Sequence, residues 1–226
     1  MTVRLAVFDC DGTLVDSAAN ICRAMGDTFA RHSLAAPEHH EVRRVVGLSL
    51  LEVMRRLHPR GEDAHHVALV ADYKACFSAM RETPDFSAEP LYDGIAEVID
   101  TLGASGWALG VATGKSDRGL AMVLAHHGLA ARFVTLQTAD RHPSKPHPAM
   151  ALAAIAEAGA TPETTIMIGD TSFDMAMGRA AGAAALGVSW GYHEPDELIA
   201  AGAQAVAEHA AELPAALDAL LIGSAA

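Results

Sequence analysis

Two carboxylates, Asp9 and Asp11, stand one residue apart at the end of a short apolar run, Val3-Arg4-Leu5-Ala6-Val7-Phe8, and Gly12 and Thr13 follow them. The run is closed too soon by Gly12 to be a helix, so it predicts a buried strand. Gly12 lets the backbone turn back sharply. Two acids this close repel each other, and one is driven neutral unless a cation lies between them. Such a pair can divide the labour of a displacement: one carboxylate attacks and the other trades a proton.

Three other stretches place polar chemistry directly after an apolar run. Trp107–Ala112 ends in Thr113-Gly114-Lys115-Ser116 at a predicted helix start. There a hydroxyl, free backbone N–H groups and the positive end of a helix dipole make an anion site. In Arg141-His142-Pro143-Ser144-Lys145-Pro146-His147-Pro148, prolines on both sides hold the segment extended and present Lys145 stiffly ahead of a helix. From there it can reach across to the acids. Thr165–Ile168 ends in Gly169-Asp170-Thr171-Ser172-Phe173-Asp174. Asp170 and Asp174 are four apart at a helix start, so both can point into one space.

These stretches need a scaffold that brings strand ends together. From Asp93 onward, predicted helices alternate with short apolar strands near 107–112, 133–136, 165–168 and 183–188. A weaker strand near 203–207 and a last helix about 214–221 follow. That rhythm predicts an α/β fold, a doubly wound, Rossmann-like parallel sheet, whose ligands bind outside the carboxyl ends of the strands. Residues 17–88 read differently. Asp16-Ser17 can cap a helix with Ile21, Met25, Thr28, Phe29 and His32 along one side, and further helices are expected near 38–45, 49–57 and 62–82. No stretch of this span reads as a strand, and Glu82–Pro90 is a polar, proline-bearing linker. The expected organisation is a core of residues 1–16 and 89–226 interrupted by an all-helical cap of residues 17–88.

Asp9-x-Asp11-Gly12-Thr13-Leu14-Val15-Asp16-Ser17 resembles the first motif of the haloacid dehalogenase superfamily, and in particular its phosphoglycolate phosphatase-like branch with a helical cap. Thr113-Gly114, Lys145-Pro146-x-Pro148 and Gly169-Asp170-x-x-x-Asp174 resemble the second, third and fourth motifs, in the family's order. The resemblance implies a phosphatase acting on a small phosphate monoester through an aspartyl-phosphate. Asp9 would be the nucleophile and Asp11 the acid and base. Lys145 would be the catalytic cation, with Thr113 and Gly114 holding the phosphoryl group. Mg²⁺ would be held by Asp9, Asp11 and Asp170, with Asp174 behind them. Gly47 and Leu48, in Arg44–Leu50, would close over the substrate. A sugar phosphomutase is the alternative on the same scaffold. Asp11 argues against a dehalogenase, since halide needs no acid to leave, and a regulator that only binds phosphate would have lost Asp9 or Asp11.

The 226-residue chain is 51% hydrophobic and 19% charged, enough for a sizeable core. Its net charge of −12 argues against nucleic acid or an anionic membrane as partner. An anionic substrate must therefore be drawn by a local cationic spot. The three cysteines, Cys10, Cys22 and Cys76, lack metal-ligand spacing and read as reduced core thiols. With no apolar leader and no long apolar run, a soluble, cytoplasmic monomer or homodimer acting on a small phosphorylated metabolite is expected. Of the twelve histidines, the adjacent pairs His39-His40, His65-His66 and His126-His127 diverge on helices and read as surface residues; His142 and His147 flank Lys145 with no role implied.

Overall fold

The computed structural model describes residues 2–83, 86 and 88–223. Strand β1 (Val3–Phe8) is followed by four helices, α1 (Ala18–Arg31), α2 (His39–Arg43), α3 (Leu50–Leu57) and α4 (Asp63–Arg81). The chain then alternates through α5 (Ile95–Ala104), β2 (Trp107–Thr113), α6 (Asp117–His126), β3 (Thr135–Thr138), α7 (Ala149–Ala158), β4 (Ala160–Gly169) and α8 (Ser172–Ala180). It closes with β5 (Ala184–Val188), α9 (Pro195–Ala200), β6 (Ala205–Ala207) and α10 (Leu213–Gly223).

The six strands form one parallel sheet in the order β3-β2-β1-β4-β5-β6. β1 is buried on both faces, which is why it reads as a nearly continuous apolar run. Its Ala6 and Phe8 enter one apolar cluster with α5, α6 and α10, while Leu5 and Val7 enter another with α7 and Met177 of α8. In register, Phe8 pairs with Val111 on one side and Ile168 on the other. The carboxyl ends of β1, β2 and β4 therefore finish level, at the point where the strand order reverses.

Helices α1–α4 gather a separate apolar cluster around Ile21, Met25, Phe29, Val53, Met54 and Leu69. The chain leaves and re-enters the sheet side by side. The Asp16 N–H donates to the Pro90 carbonyl at 2.9 Å, Tyr92 N–H to Leu14 at 3.0 Å, and Val15 bridges antiparallel to Leu91. Of the expected linker, Pro84, Asp85 and Ser87 lie outside the described residues.

Two expected strand starts need correction, and one helix is new. β3 starts at Thr135 rather than Phe133: Phe133 packs into the core beside Phe8, and the pairing with β2 begins at Gly110 opposite Thr135. β4 begins at Ala160, well before Thr165, because Val3 pairs with Ala160 across an irregularity in the register. Helix α9 was not expected, its six residues being too few to show a period.

Candidate active site

The end of β1 carries Asp9, with no measurable exposure. Its Oδ1 accepts the Cys10 N–H at 2.6 Å and lies 2.8 Å from the Lys145 ammonium, whereas its Oδ2 is buried with no partner. Lys145 bridges onward to Oδ1 of Asp174 at 2.6 Å. Asp174 is fixed from behind, because its Oδ2 accepts from the Thr171 N–H at 3.1 Å and hydroxyl at 2.6 Å as part of the capping box that starts α8. Asp170, at the end of β4, accepts from the Thr13 hydroxyl at 2.7 Å and from the Tyr192 N–H at 3.0 Å. Glycine is needed beside it. Gly12 has φ of +85°, and a Cβ there or on Gly191 would run into the Asp170 carboxylate.

One oxygen each of Asp9, Asp170 and Asp174 lies within 4.8 Å of the others, and among the described residues this is the one such group of three or more His, Cys, Asp or Glu. Three buried acids thus cluster beside one ammonium, which pairs with Asp9 and Asp174. Burial lifts Asp9 to about 7, opposed by Lys145 and reinforced by Asp174. Burial also pushes Asp170 well above the usual carboxylate range, with Asp9 and Asp174 adding to it. For Lys145 burial works against the charge, yet Asp174 and Asp9 outweigh it and raise the pKa. Oxygen donors, an excess of buried negative charge and the orphaned Asp9 Oδ2 together fit a hard divalent cation.

Asp11 faces elsewhere. Its Oδ1 meets the Lys115 ammonium at 2.7 Å and accepts from the Ser17 hydroxyl, which in turn lies 3.1 Å from the Tyr192 hydroxyl. Its carboxylate stands outside the three-acid group, so the expectation of Asp11 as a metal ligand with Asp174 behind needs correction: Lys115 and Ser17 draw the Asp11 side chain away, and Asp174 stands in the group. Ser17 therefore turns its hydroxyl to Asp11 instead of capping α1. Lys115 also approaches both oxygens of buried Glu89 at 3.4 Å. Burial raises the Glu89 pKa against the pull of Lys115.

Thr113 is fully buried, and its hydroxyl oxygen accepts the Lys115 N–H at 3.2 Å. Gly114 lies directly beneath the carbonyls of Gly47 and Leu48, so close that a Cβ would overlap both. The next residue of that loop, Ser49, donates its N–H to the Ser144 hydroxyl at 2.8 Å. Arg44 pairs with Glu197 at 2.6 Å, and the His193 Nε2 meets the Arg44 carbonyl at 3.3 Å. The loop 44–49 is thereby laid across the strand ends. Asp11, Gly47, Leu48, Gly114 and Lys115 all face one cavity of about 660 Å³ between α1–α4 and the sheet.

Residues 6–188 match the family model of haloacid dehalogenase-like hydrolases. The chain belongs to this family. It is 35% identical to "Probable phosphatase IndB" of Dickeya dadantii, over 96% of this chain and 94% of the relative. It is 29% identical to the phosphoglycolate phosphatase of Agrobacterium fabrum, over 86% and 87% of the two chains. The fold is that of a crystal structure titled as a predicted phosphatase from Clostridium acetobutylicum, with a TM-score of 0.86 at 24% identity, over 97% of this chain and all of that one. This haloacid dehalogenase-like hydrolase has no helix, among its described residues, long and apolar enough to cross a membrane.

Four contributors carry no role in the sequence reading. Thr13 and the Gly191-Tyr192 backbone hold Asp170, and Lys115 with Glu89 holds Asp11. The end of β5, followed by Gly191, was the available signal for the second, since a strand end with a glycine marks a place of close backbone approach. His142 donates or accepts at Gln137 across 2.8 Å and faces the cavity, and the His147 Nδ1 accepts the Ala149 N–H at 3.2 Å.

Proposed function

We propose that this hydrolase cleaves small phosphate monoesters by a double displacement through an aspartyl-phosphate on Asp9. The observation that carries the reading is the contrast between the two opening acids. Asp9 keeps one oxygen unpartnered among buried charges, whereas Asp11 is turned onto the cavity and held there by Lys115. That contrast supports attack by Asp9 and proton handling by Asp11.

In the first step the Asp9 carboxylate forms a bond to phosphorus and the ester P–O bond breaks, with the Asp11 carboxyl giving its proton to the departing oxygen. In the second, Asp11 takes a proton from water as the water oxygen attacks phosphorus and the Asp9–phosphorus link breaks. Lys145 balances charge beside Asp9, and Thr113 with the Gly114 N–H binds the phosphoryl oxygens. Mg²⁺ is the proposed cation; Asp9 and Asp170 would hold it, with Asp174 orienting Lys145 beside them. When bound, it would neutralise charge on the phosphoryl group.

Residues 17–88 act as a cap on a core of 1–16 and 89–226, with Gly47 and Leu48 shutting the site against bulk water. The chain works as a monomer or homodimer on a small phosphorylated metabolite, in a cytoplasmic setting where its three cysteines stay reduced.

The test is intact-protein mass spectrometry after mixing with an aryl phosphate. Asp11→Asn retains the nucleophile and should accumulate a single phosphoryl adduct, with turnover lowered about 10²–10⁴-fold. Asp9→Asn should form none. Wild-type turnover by Asp11→Asn would refute the assignment of its proton-transfer role. Transfer of the wild-type adduct to an added sugar phosphate, with none to water, would make the protein a phosphomutase.

A further inference from the structure

The leaving-group end of the cavity is built for something larger than glycolate. A volume of about 660 Å³ falls within the range of pockets that enclose drug-sized ligands, and the phosphoryl group takes up only the corner at Gly114 and Asp11. The part of the remaining wall built by α1, α3 and α4 is mostly apolar, while Lys74, Arg118, Asp140 and His142 line the rim towards the sheet. Val70, Tyr73 and Phe77 recur on one face of α4 and line the cavity, each only half-buried where a closed core would bury them fully. Met25 of α1 and Leu50 of α3 line the same space.

The aromatic part of this wall is ordered by its own contacts. The Tyr73 and Phe77 rings lie 5.8 Å apart, tilted by 42°, and the Arg81 guanidinium stacks on Phe77 at 4.8 Å. The wall also reaches the chemistry. Tyr73 lines the same cavity as Asp11 and Lys115, the proton-transfer acid and its partner. A group leaving phosphorus beside Asp11 therefore departs into the space that Tyr73 and Phe77 line. Rigid aromatic walls favour a flat partner, which stacks on them and loses little conformational freedom in doing so.

We infer that the substrate is a phosphate monoester whose leaving alcohol carries an aromatic or heteroaromatic ring, seated between Tyr73 and Phe77 on one side and the aliphatic side chains of α1 and α3 on the other. This rests on the phosphatase reading above and narrows its substrate class.

The experiment compares 2-phenylethyl phosphate with ethyl phosphate and phosphoglycolate, so that ring size changes while the leaving groups remain alkoxides. Binding of the matching phenylethyl and ethyl phosphonates is measured by calorimetry in parallel. The phenylethyl ester should show kcat/KM about 10- to 100-fold above ethyl phosphate, and the phosphonates the same order in Kd. Phe77→Ala should shrink that preference by about 10-fold, and Phe77→Leu, which keeps the helix face apolar, by less. Phosphoglycolate or ethyl phosphate turned over as well as the ring ester would overturn the inference while leaving a phosphatase in place. If no ester is hydrolysed, the phosphatase reading fails, and the phosphonate affinities still decide whether the wall selects rings; equal affinities would overturn it.

Discussion

Cation binding should be coupled to proton release through Asp9. Without a metal, burial holds this carboxyl at about 7 instead of its ordinary 3.8. A carboxyl raised on folding keeps its proton longer in the folded chain than in the unfolded one. The stability of the metal-free protein is therefore unaffected by this group below about pH 4 and falls as pH climbs towards 7. A divalent cation binds the ionised form and displaces the proton. With one proton leaving a group at about 7, the apparent dissociation constant scales as 1 + 10^(7 − pH). It is then about 25-fold weaker at pH 5.5 than at pH 7.5, or about 1.9 kcal/mol. Asp170, pushed upward by the same burial, makes the dependence steeper. Calorimetric titration with Mg²⁺ at both pH values, in two buffers of different ionisation enthalpy, reads the affinity and the number of protons released. Asp9→Asn should flatten the profile. An affinity that is the same at both pH values, with no proton released, would refute the account of three clustered buried acids with one lysine among them.

Lys115→Met should leave Asp11 and Glu89 buried without their cation and cost about 3–5 kcal/mol, read as a fall in the urea midpoint; a midpoint within error of wild type would show that the two acids have another partner. Gly114→Ala places a methyl group against the Gly47 and Leu48 carbonyls. It should push the 44–49 loop off the site and lower kcat/KM about 10²-fold, and unchanged kinetics would mean that the loop is not needed over the substrate. A core in which a short linker replaces residues 17–88 should fold and show weak, unselective phosphatase activity. Full substrate discrimination by that core would remove the cap from the specificity argument.

The sheet was legible because its central strands have buried apolar stretches closed by a glycine or a polar turn, and the site's acids stand at those ends. Asp9, Lys145, Asp170 and Asp174 do converge, and Gly47-Leu48 does lie on Gly114. What escaped depends on contacts between residues far apart in the chain. Nothing local marks Lys115 as the partner of Asp11 and Glu89, since its place beside Thr113 is that of an ordinary residue at a helix start. Ser17 looked like a cap because its sequence context is that of one, and only the fold shows its hydroxyl drawn to Asp11. The histidines make the same point: His66, expected at the surface, is buried with its Nε2 on the His58 carbonyl at 2.9 Å. His32 and His65 lie 3.0 Å apart, with Asp72 on the far ring nitrogen of His32, although neither belongs to a recognisable spacing.

The side-by-side crossing at Asp16–Pro90 and Val15–Leu91 has an evolutionary consequence. To the sheet, everything from Ser17 to Ala88 is one long loop springing from adjacent ends, and the crossing contacts are made by residues outside it. Lineages can lengthen, shorten or exchange that loop while the strand ends keep their register. On the proposed division of labour, selection on which alcohol departs would act on α1–α4 and selection on how phosphorus is attacked on Asp9 and its neighbours, the two meeting where the 44–49 loop lies on Gly114 and Ser144.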